Sequence, residues 1–280
     1  MKKLFTLLMS LILGVTACFG LTACGKQFTG FDIELAEDVV EYLNEKNSSK
    51  LVIEFQEIDW NSKEALLENG TIDLVWNGMT ITPARQEEMC ISVPYLDNNQ
   101  VAVVRVADAN KYTSIASMAD ANVGAEAGSA GEGVIEAQEI GKEYIEAPSQ
   151  LDALTQLNNG TIDVAVIDSV MAGYYTSNGV YKDKLVIVND LILATEKYGI
   201  AAKKGNEALI SAINDALIAL STTKYLEVAE DFGLTGSVCL TETTTNPLAG
   251  ATDNSWTNVL TSGRIIIGYT VFAPIAFYTE

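Results

Sequence analysis

Apolar and polar positions along this chain follow two alternating periods, which predict helices and strands in turn. Apolar residues recur at helical spacing over residues 31–43, and residues 51–55 form the short apolar run typical of a strand. A second strand is predicted over residues 72–76, and Thr82 followed by Pro83 has the residue types that begin a helix. This alternation indicates an α/β fold with a mostly parallel sheet flanked by helices.

The same alternation continues to the end of the chain. The predicted strands cover residues 100–106, 122–127, 164–167, 185–188 and 264–269, and the predicted helices cover residues 62–67, 132–140, 207–221, 224–232 and 255–260. Residues 69–73 spell Asn-Gly-Thr-Ile-Asp, and residues 159–163 repeat that pentapeptide. The repeat indicates two lobes of similar construction, unless two ordinary turns coincide by chance.

The first 25 residues have the order of a secretory signal: a basic start at Lys2 and Lys3, an apolar run over residues 4–15, and small residues around Cys24. Residues 21–24, Leu-Thr-Ala-Cys, are similar to the bacterial lipobox, in which the cysteine receives a lipid. We therefore expect a signal peptide over residues 1–23 and a lipid on Cys24. A transmembrane helix is the weaker alternative, because the apolar run is short for a hydrocarbon core of about 30 Å.

Composition narrows the possible functions of the remaining chain. Of its 280 residues, 48% are hydrophobic, which supports a packed core. Asp and Glu outnumber Lys and Arg by 37 to 17, and the net charge of -20 argues against a nucleic-acid partner. The sequence has no histidine, which excludes His-based catalytic triads and His metal sites. We expect no metal and no cofactor.

Two cysteines, Cys90 and Cys239, remain in the body of the chain. By themselves they cannot supply a four-ligand zinc site. In an exported protein they could form one disulfide, and the alternative is two separate buried thiols.

Arginine is rare in this sequence, and one of its three copies stands where α/β proteins bind ligands. Arg264 precedes a predicted strand and is expected to be solvated, and Arg105 lies in or beside another strand. Arg85 lies in the first turn of a predicted helix, just after residues 76–80. Open α/β sheets bind ligands in such strand-to-helix crevices, and the planar guanidinium is the best partner for a carboxylate.

Asp168 follows the strand over residues 164–167 and is the counterpart, in the second repeat unit, of the region around Asn77. A carboxylate at the end of a strand, facing a cleft, suits an ammonium group. The alternative is that Asp168 caps the helix that follows. Arg85 and Asp168 together would match the carboxylate and the ammonium that a free amino acid carries on one carbon.

Residues 28–36 (Phe-Thr-Gly-Phe-Asp-Ile-Glu-Leu-Ala) and 76–85 (Trp-Asn-Gly-Met-Thr-Ile-Thr-Pro-Ala-Arg) form two motifs, accompanied by residues 128–129, 164–168 and 268–277. In combination they resemble the polar amino-acid group of bacterial periplasmic-type (type 2) substrate-binding proteins. The resemblance covers nearly all of the mature chain. It implies a two-lobed fold with two crossover strands and a cleft that closes.

The resemblance also implies a function. We expect a monomeric, lipid-anchored protein at the extracytoplasmic face of the membrane that captures a free amino acid for the permease of an ABC importer, without enzymatic activity. The alternatives are a ligand-sensing module for a membrane receptor and a dehydratase-like enzyme on the same scaffold. An enzyme without histidine would need Glu, Asp or Lys as its base, and no such group stands out.

The matching positions imply roles for individual residues. Arg85 would clamp the ligand carboxylate, and Asp168 would hold its ammonium. Asn77, Gly78 and Thr80 would line the first-lobe side of the cleft, partly through backbone atoms.

Five further residues match ligand-facing positions of the family. Ser129 and Ala130 would offer backbone N–H groups from the second lobe. Trp60 and Phe272 would sandwich the ligand side chain, and the alternative for each is core packing. Glu126 would receive a cationic or amide group of the ligand, and the alternative is a solvated strand residue.

The order of the segments departs from the family. Residues 264–280 resemble the first strand and the aromatic loop of the family, yet they stand at the C-terminus, so the chain resembles a circular permutation. Residues 240–262 would then be a linker. We expect lobe 1 to comprise residues 24–101 and 195–280, and lobe 2 to comprise residues 102–194.

Overall fold

The computed structural model describes residues 27–177 and 180–279, so the expected signal peptide and Cys24 lie outside the described residues. The helices are α1 (Phe31–Asn47), α2 (Lys63–Glu68), α3 (Pro83–Glu88), α4 (Ala130–Gln138), α5 (Gln150–Asn159), α6 (Ser169–Ser177), α7 (Glu207–Leu220), α8 (Lys224–Asp231) and α9 (Ser255–Ser262). The strands are β1 (Phe28–Thr29), β2 (Val52–Glu57), β3 (Leu74–Thr80), β4 (Met89–Ile91), β5 (Leu96–Arg105), β6 (Asn122–Glu126), β7 (Glu143–Ala147), β8 (Val164–Asp168), β9 (Leu185–Lys203), β10 (Arg264–Tyr269) and β11 (Phe277–Tyr278).

One main sheet runs through the described chain in the order β2-β10-β3-β9-β5-β8-β6-β7, with β4 paired to β9. Strand β10 is parallel to β2 and β3, and β6 is parallel to β7 and β8. Strands β5 and β9 lie between these two groups and pair antiparallel with their neighbours. The predicted α/β class and the two crossover strands are confirmed. The sheet is mixed, because the crossover strands run against the parallel groups.

Each parallel group has its own core. In lobe 1, which contains β2, β3 and β10, α1 packs its apolar stripe of Phe31, Leu35, Val39 and Leu43 against the sheet and against α7 and α8. This stripe is the one that the helical spacing predicts. In lobe 2, which contains β6, β7 and β8, α4 and α5 cover the parallel strands. The ligand cleft expected from the sequence would therefore lie between two strand groups that each have a core, and Met171 of α6 in lobe 2 packs into the core of lobe 1.

The repeated pentapeptide folds in the same way in both lobes. The Asn69 side-chain oxygen accepts from the backbone N–H of Thr71 at 2.9 Å, and Asn159 does the same for Thr161 at 3.1 Å. The last residue of each copy binds a parallel strand: Asp73 accepts from the N–H of Ile266 in β10, and Asp163 from the N–H of Asn122 in β6. The repeat is therefore structural, and β10 occupies in lobe 1 the place that β6 occupies in lobe 2.

Strand β9 is the element that the sequence pattern underestimates most. The prediction stops at residue 188, whereas the strand continues to Lys203. The middle of β9 contains charged residues, which interrupt the apolar run. Asp190 there has a left-handed backbone with a φ of 60°, and β9 pairs with β5 on both sides of it. The second half of β9 pairs with β3, β4 and β5, and it connects the sheet of lobe 1 to β5.

The two ends of the described chain meet. Strands β1 and β11 pair antiparallel, with Phe28 opposite Tyr278, and Thr279 donates its N–H to the Gln27 carbonyl oxygen at 2.9 Å. The rings of Phe28, Phe55, Tyr269 and Tyr278 pack together beneath this pair. The C-terminal strands β10 and β11 are thus integral to lobe 1.

Cys90 and Cys239 are free thiols in the structure, so the possible disulfide is not formed. Cys90 lies opposite Ala202 in β9, whereas Val238, the neighbour of Cys239, bridges to Leu96, which lies opposite Tyr198. Ala202 and Tyr198 are four residues apart along β9, which corresponds to roughly 13 Å. This separation exceeds the Cα–Cα distance of a disulfide. Among the described residues, no helix combines the length and the apolar character needed to span a membrane.

Candidate functional site

All ten residues that the sequence singles out for ligand binding line one pocket between the lobes. These residues are Trp60, Asn77, Gly78, Thr80, Arg85, Glu126, Ser129, Ala130, Asp168 and Phe272, and the pocket is completed by Gln150, Thr270 and Val271.

Arg85 reaches from lobe 1 to lobe 2. The Thr82 hydroxyl caps α3 by accepting from the Arg85 N–H at 3.2 Å, as the Thr-Pro sequence predicts. The guanidinium donates through Nη1 to the Thr80 carbonyl at 2.8 Å and through Nη2 to the Gly128 carbonyl at 3.0 Å. Burial lowers the pKa of Arg85 from its ordinary value, although a guanidinium stays charged in proteins. A fixed cation therefore lies at the lobe boundary.

The lobe 1 wall is the end of β3, in which every residue is buried. The Asn77 side-chain oxygen accepts from the backbone N–H of Thr270 at 2.5 Å and from its hydroxyl at 2.8 Å, while the Asn77 Nδ2 is buried without a partner in the described structure. Gly78 has a φ of 60°, and a Cβ atom there would lie 2.7 Å from the Phe272 ring. Only glycine lets the backbone approach the aromatic wall this closely.

The lobe 2 wall is the turn between β6 and α4. Ser129 caps α4 by accepting from the Glu132 N–H at 3.2 Å, and Ala130 is the first helical residue. The N–H of Ser129 donates to the Glu126 carbonyl at 3.2 Å. The turn itself uses this donor in the present conformation, and the role of the Ser129 N–H in ligand binding stays a prediction.

Asp168 is buried at the end of β8, where three amides surround its carboxyl group. Its Oδ1 accepts from Asn98 Nδ2 at 2.5 Å and from Gln100 Nε2 at 2.6 Å, and its Oδ2 accepts from Gln150 Nε2. Burial raises the pKa of Asp168 well above its ordinary value, and the nearby Glu196 raises it further.

The start of α6 shows that Asp168 is not a helix cap. The Asn98 side-chain oxygen accepts from the Val170 N–H at 3.3 Å and from the Ser169 hydroxyl at 2.9 Å. Asn98 therefore takes the capping role, whereas Asp168 binds the three amides and is one of the residues that line the pocket. The alternative that the sequence left open for Asp168 is wrong.

Glu126 is buried at the end of β6, so the alternative of a solvated residue is also wrong. Burial raises the pKa of Glu126 to about 8, against the opposing effect of the Lys63 charge. Lys63 is itself buried, with Nζ 4.9 Å from the centre of the Trp60 ring and 3.3 Å from the Gly128 carbonyl oxygen. A cation, an acid and an aromatic face therefore meet at this end of the pocket.

Five residues near the site escaped the sequence analysis: Lys63, Asn98, Gln100, Gln150 and Glu196. Asn98 and Gln100 are two positions apart on β5 and therefore project from the same face, toward Asp168 in the neighbouring strand. The sequence signal that could have identified these two site residues is a pair of polar residues, two positions apart, within a strand that is otherwise largely buried. Gln150 and Glu196 lie in α5 and β9, and only the pairing of distant elements brings them to Asp168.

Two lobes joined by two crossover strands, with a polar pocket between them, define a type II periplasmic-binding-protein fold. The family model of the bacterial extracellular solute-binding proteins, family 3, matches residues 14–234, and the chain belongs to that family.

Three similar proteins illustrate the family. A probable histidine-binding protein of Neisseria gonorrhoeae is 33% identical over 67% of this chain and 68% of its own length. The ABC transporter arginine-binding protein 1 of Escherichia coli (strain K12) is 27% identical over 79% of this chain and 93% of its own. A crystal structure of an ABC uptake transporter substrate-binding protein from Streptococcus pneumoniae with bound histidine has a TM-score of 0.65 and 33% identity, and covers 73% of this chain and 83% of that one.

Proposed function

We propose that this protein binds a free amino acid between its lobes and delivers it to the permease of an ABC importer. The observation that carries the proposal is that Arg85, a fixed cation, and Asp168, an acid, line the same pocket from opposite lobes. A free amino acid presents a carboxylate and an ammonium on one carbon, which is the charge pattern that this pair complements. The names of the histidine- and arginine-binding relatives agree with such a ligand.

The carboxylate would bind at the Arg85 guanidinium. Nη2 now donates to the Gly128 carbonyl at 3.0 Å, and a carboxylate is a stronger acceptor than a carbonyl for a guanidinium fork. The ammonium would bind at Asp168, whose carboxyl group is held by amides from β5 and α5. Each lobe would thus hold one charged end of the ligand.

The ligand side chain would extend between Trp60 and Phe272 toward Glu126. All three residues line the pocket. A buried carboxyl favours a cationic or hydrogen-donating group over an apolar one, because an apolar group would leave it without a partner. We propose a cationic or amide side chain for the ligand. We also propose that the protein binds its ligand without changing it chemically.

The position of the protein at the membrane is proposed from its sequence. Residues 1–23 would be removed as a signal peptide, and a lipid on Cys24 would hold the body at the extracytoplasmic face. Strand β1 of lobe 1 begins at Phe28, close to Cys24 in the sequence, which would keep lobe 1 close to the membrane.

We propose further that the chain is circularly permuted, with lobe 1 formed by residues 24–101 and 195–280 and lobe 2 by residues 102–194. The family match ends at residue 234, whereas β10 beyond it lies between β2 and β3 and parallel to both. Residues 240–262, the proposed linker, lie between α8 and β10 and include α9.

A ligand screen tests the proposed function. Each of the twenty amino acids is added to the purified mature protein, and the melting temperature is measured, because a ligand that binds only the native state raises it. We expect one amino acid or a small related group, with cationic or amide side chains, to raise the melting temperature. If none of the twenty changes it and calorimetry detects no binding, the proposed function is refuted.

A further inference from the structure

Two acids share the same pair of amide donors at the junction of the crossover strands. Asn98 Nδ2 lies 2.5 Å from Asp168 Oδ1 and 2.5 Å from Glu196 Oε1. Gln100 Nε2 lies 2.6 Å from the same Asp168 oxygen and 2.9 Å from the same Glu196 oxygen. Because both nitrogens contact both oxygens, the carboxyl groups of Asp168 and Glu196 are close neighbours.

The amides hold this pair in a fixed orientation. The Asn98 oxygen accepts from Ser169 and Val170, so its nitrogen must face the acids. Gln150 is fixed in the same way, since its oxygen accepts from the Asp168 N–H at 3.0 Å while its nitrogen donates to Asp168 Oδ2. Neutral amides can share a pair of acids, but they supply no positive charge to offset two negative ones.

The surroundings of the pair favour one proton on it. Among the described residues, no ion pair joins Asp168 or Glu196 to a lysine or an arginine. The charged and titratable groups that face the pair are Arg85, Glu126 and the buried hydroxyl of Tyr198. Two carboxylates that share a buried site repel each other, so the Glu196 charge adds to burial in favouring the protonated form of Asp168.

We propose that Asp168 and Glu196 form one proton-binding unit, which holds a proton when the pocket is empty and releases it when the ammonium of a ligand arrives. Glu196 is a positioning residue in this unit, because it sets the charge of Asp168 rather than contacting the ligand pocket. In the exchange, the carboxyl O–H bond breaks, the proton passes to solvent, and the ammonium takes its place as the positive partner. This assignment rests on the proposed binding of an amino acid.

Glu196 offers the proton a route out of the site. It is half-buried, and it lines a separate groove together with Asp97, Thr195 and Lys197, whereas Asp168 lines the ligand pocket. The acid pair therefore connects the closed pocket to a solvent-facing surface through the crossover strands. Asn98 and Gln100 lie in β5 and Glu196 lies in β9, and these two strands join the lobes.

Calorimetry in pairs of buffers with different ionisation enthalpies counts the protons exchanged on binding. The probes are L-arginine, L-histidine and L-glutamine, titrated into the mature protein between about pH 5 and pH 8. We expect the wild-type protein to release up to about one proton per ligand at the pH of maximal exchange, with affinity falling as the pH falls. We expect Glu196→Gln to lower the number of protons released at that pH, because the variant lacks the negative neighbour that adds to the effect of burial on the Asp168 pKa.

Two variants isolate the pair. Asp97→Asn removes an exposed acid of β5, the strand that contains Asn98 and Gln100, and is expected to keep the wild-type proton release. Glu126→Gln removes Glu126 as a second source of protons when a ligand with a cationic side chain binds. Proton release on binding of L-glutamine is expected to persist in this variant. Equal proton release by the wild type and Glu196→Gln would overturn the proposal.

A wild-type measurement keeps the test independent of whether Glu196→Gln folds. Binding with no proton exchange anywhere in this pH range would overturn the acid pair and leave the proposed function standing. Failure of every amino acid to bind would instead refute the proposed function, and the acid pair with it.

Discussion

The Arg85 guanidinium donates through Nη2 to the Gly128 carbonyl oxygen at 3.0 Å, and this bond joins lobe 1 to lobe 2. Lys63 Nζ contacts the same carbonyl at 3.3 Å. Two cations from lobe 1 therefore hold one backbone oxygen of lobe 2, in the region where the ligand carboxylate is proposed to bind.

Replacing Arg85 with alanine removes the proposed carboxylate partner. We expect Arg85→Ala to lose at least about 2 kcal/mol of binding free energy, or about 30-fold in affinity, because a charged hydrogen bond is lost from a partly buried site. Calorimetry with the amino acid that binds the wild type measures the loss. Arg264→Ala is the matched control, since Arg264 is exposed and pairs with Glu54 away from the pocket. Equal affinity of Arg85→Ala and the control would rule out the clamp.

Replacing Asp168 with asparagine keeps the shape of the side chain and removes its charge. We expect Asp168→Asn to weaken amino acids by more than about 2 kcal/mol, and to weaken analogues that lack the ammonium far less. Competition binding with the amino acid and its deaminated analogue measures both effects. Equal weakening of the two ligands would contradict the proposed role of Asp168.

Glu126 is expected to select the ligand side chain. In Glu126→Gln, we expect the affinity for L-arginine or L-histidine to fall by more than that for L-glutamine, because the lost negative charge matters most to a cation. Parallel titrations of the three amino acids give the ratio. An unchanged ratio would place the ligand side chain away from Glu126.

Gly78 is expected to be intolerant of any side chain. Its φ of 60° disfavours other residues, and an added Cβ would lie 2.7 Å from the Phe272 ring and 3.1 Å from the Tyr198 ring. Gly70 has a similar φ of 74° with nothing within 4 Å of its added Cβ, so Gly70→Ala measures the backbone cost alone. We expect Gly78→Ala to lower the free energy of unfolding by more than Gly70→Ala, in denaturant titrations. The reverse order would show that the crowding at Gly78 is relieved at no cost.

Buried acids should make the protein more stable at mildly acidic pH. Burial raises the pKa of Asp32 from 3.8 to about 7 and that of Glu126 from 4.5 to about 8. A raised folded-state pKa stabilises the protein below the unfolded pKa, and that stability is lost as the pH rises through the folded value. We therefore expect the melting temperature to fall between pH 5 and pH 8.

Asp32 is expected to account for a large part of this pH dependence. It accepts from the Gly78 N–H and from the Tyr95 hydroxyl, both at 2.8 Å, and its other oxygen is buried without a partner in the described structure. Asp32→Asn should flatten the pH dependence of the melting temperature. The control Asp120→Asn, at an exposed position, should leave that dependence unchanged. Identical profiles for both variants would show that Asp32 does not titrate in the folded protein.

The sequence was informative where function depends on one strand and the turn after it. Asp168 ends an apolar strand and Arg85 lies in the helix that follows one, so the place of each near the carboxyl end of a strand could be deduced from local pattern. Asn98 and Glu196 are separated by 98 residues and meet only through the pairing of β5 with β9. A local sequence pattern cannot predict the pairing of two distant strands. In addition, the apolar pattern of β9 is interrupted, so the half of β9 that contains Glu196 was not predicted as a strand.

A crystal structure of the protein with its bound amino acid would test the central claim most directly. We expect the ligand carboxylate within about 3 Å of the Arg85 guanidinium and its ammonium within about 3 Å of Asp168, with the side chain between Trp60 and Phe272. A ligand bound with its ammonium away from Asp168, or outside the pocket between the lobes, would contradict the claim.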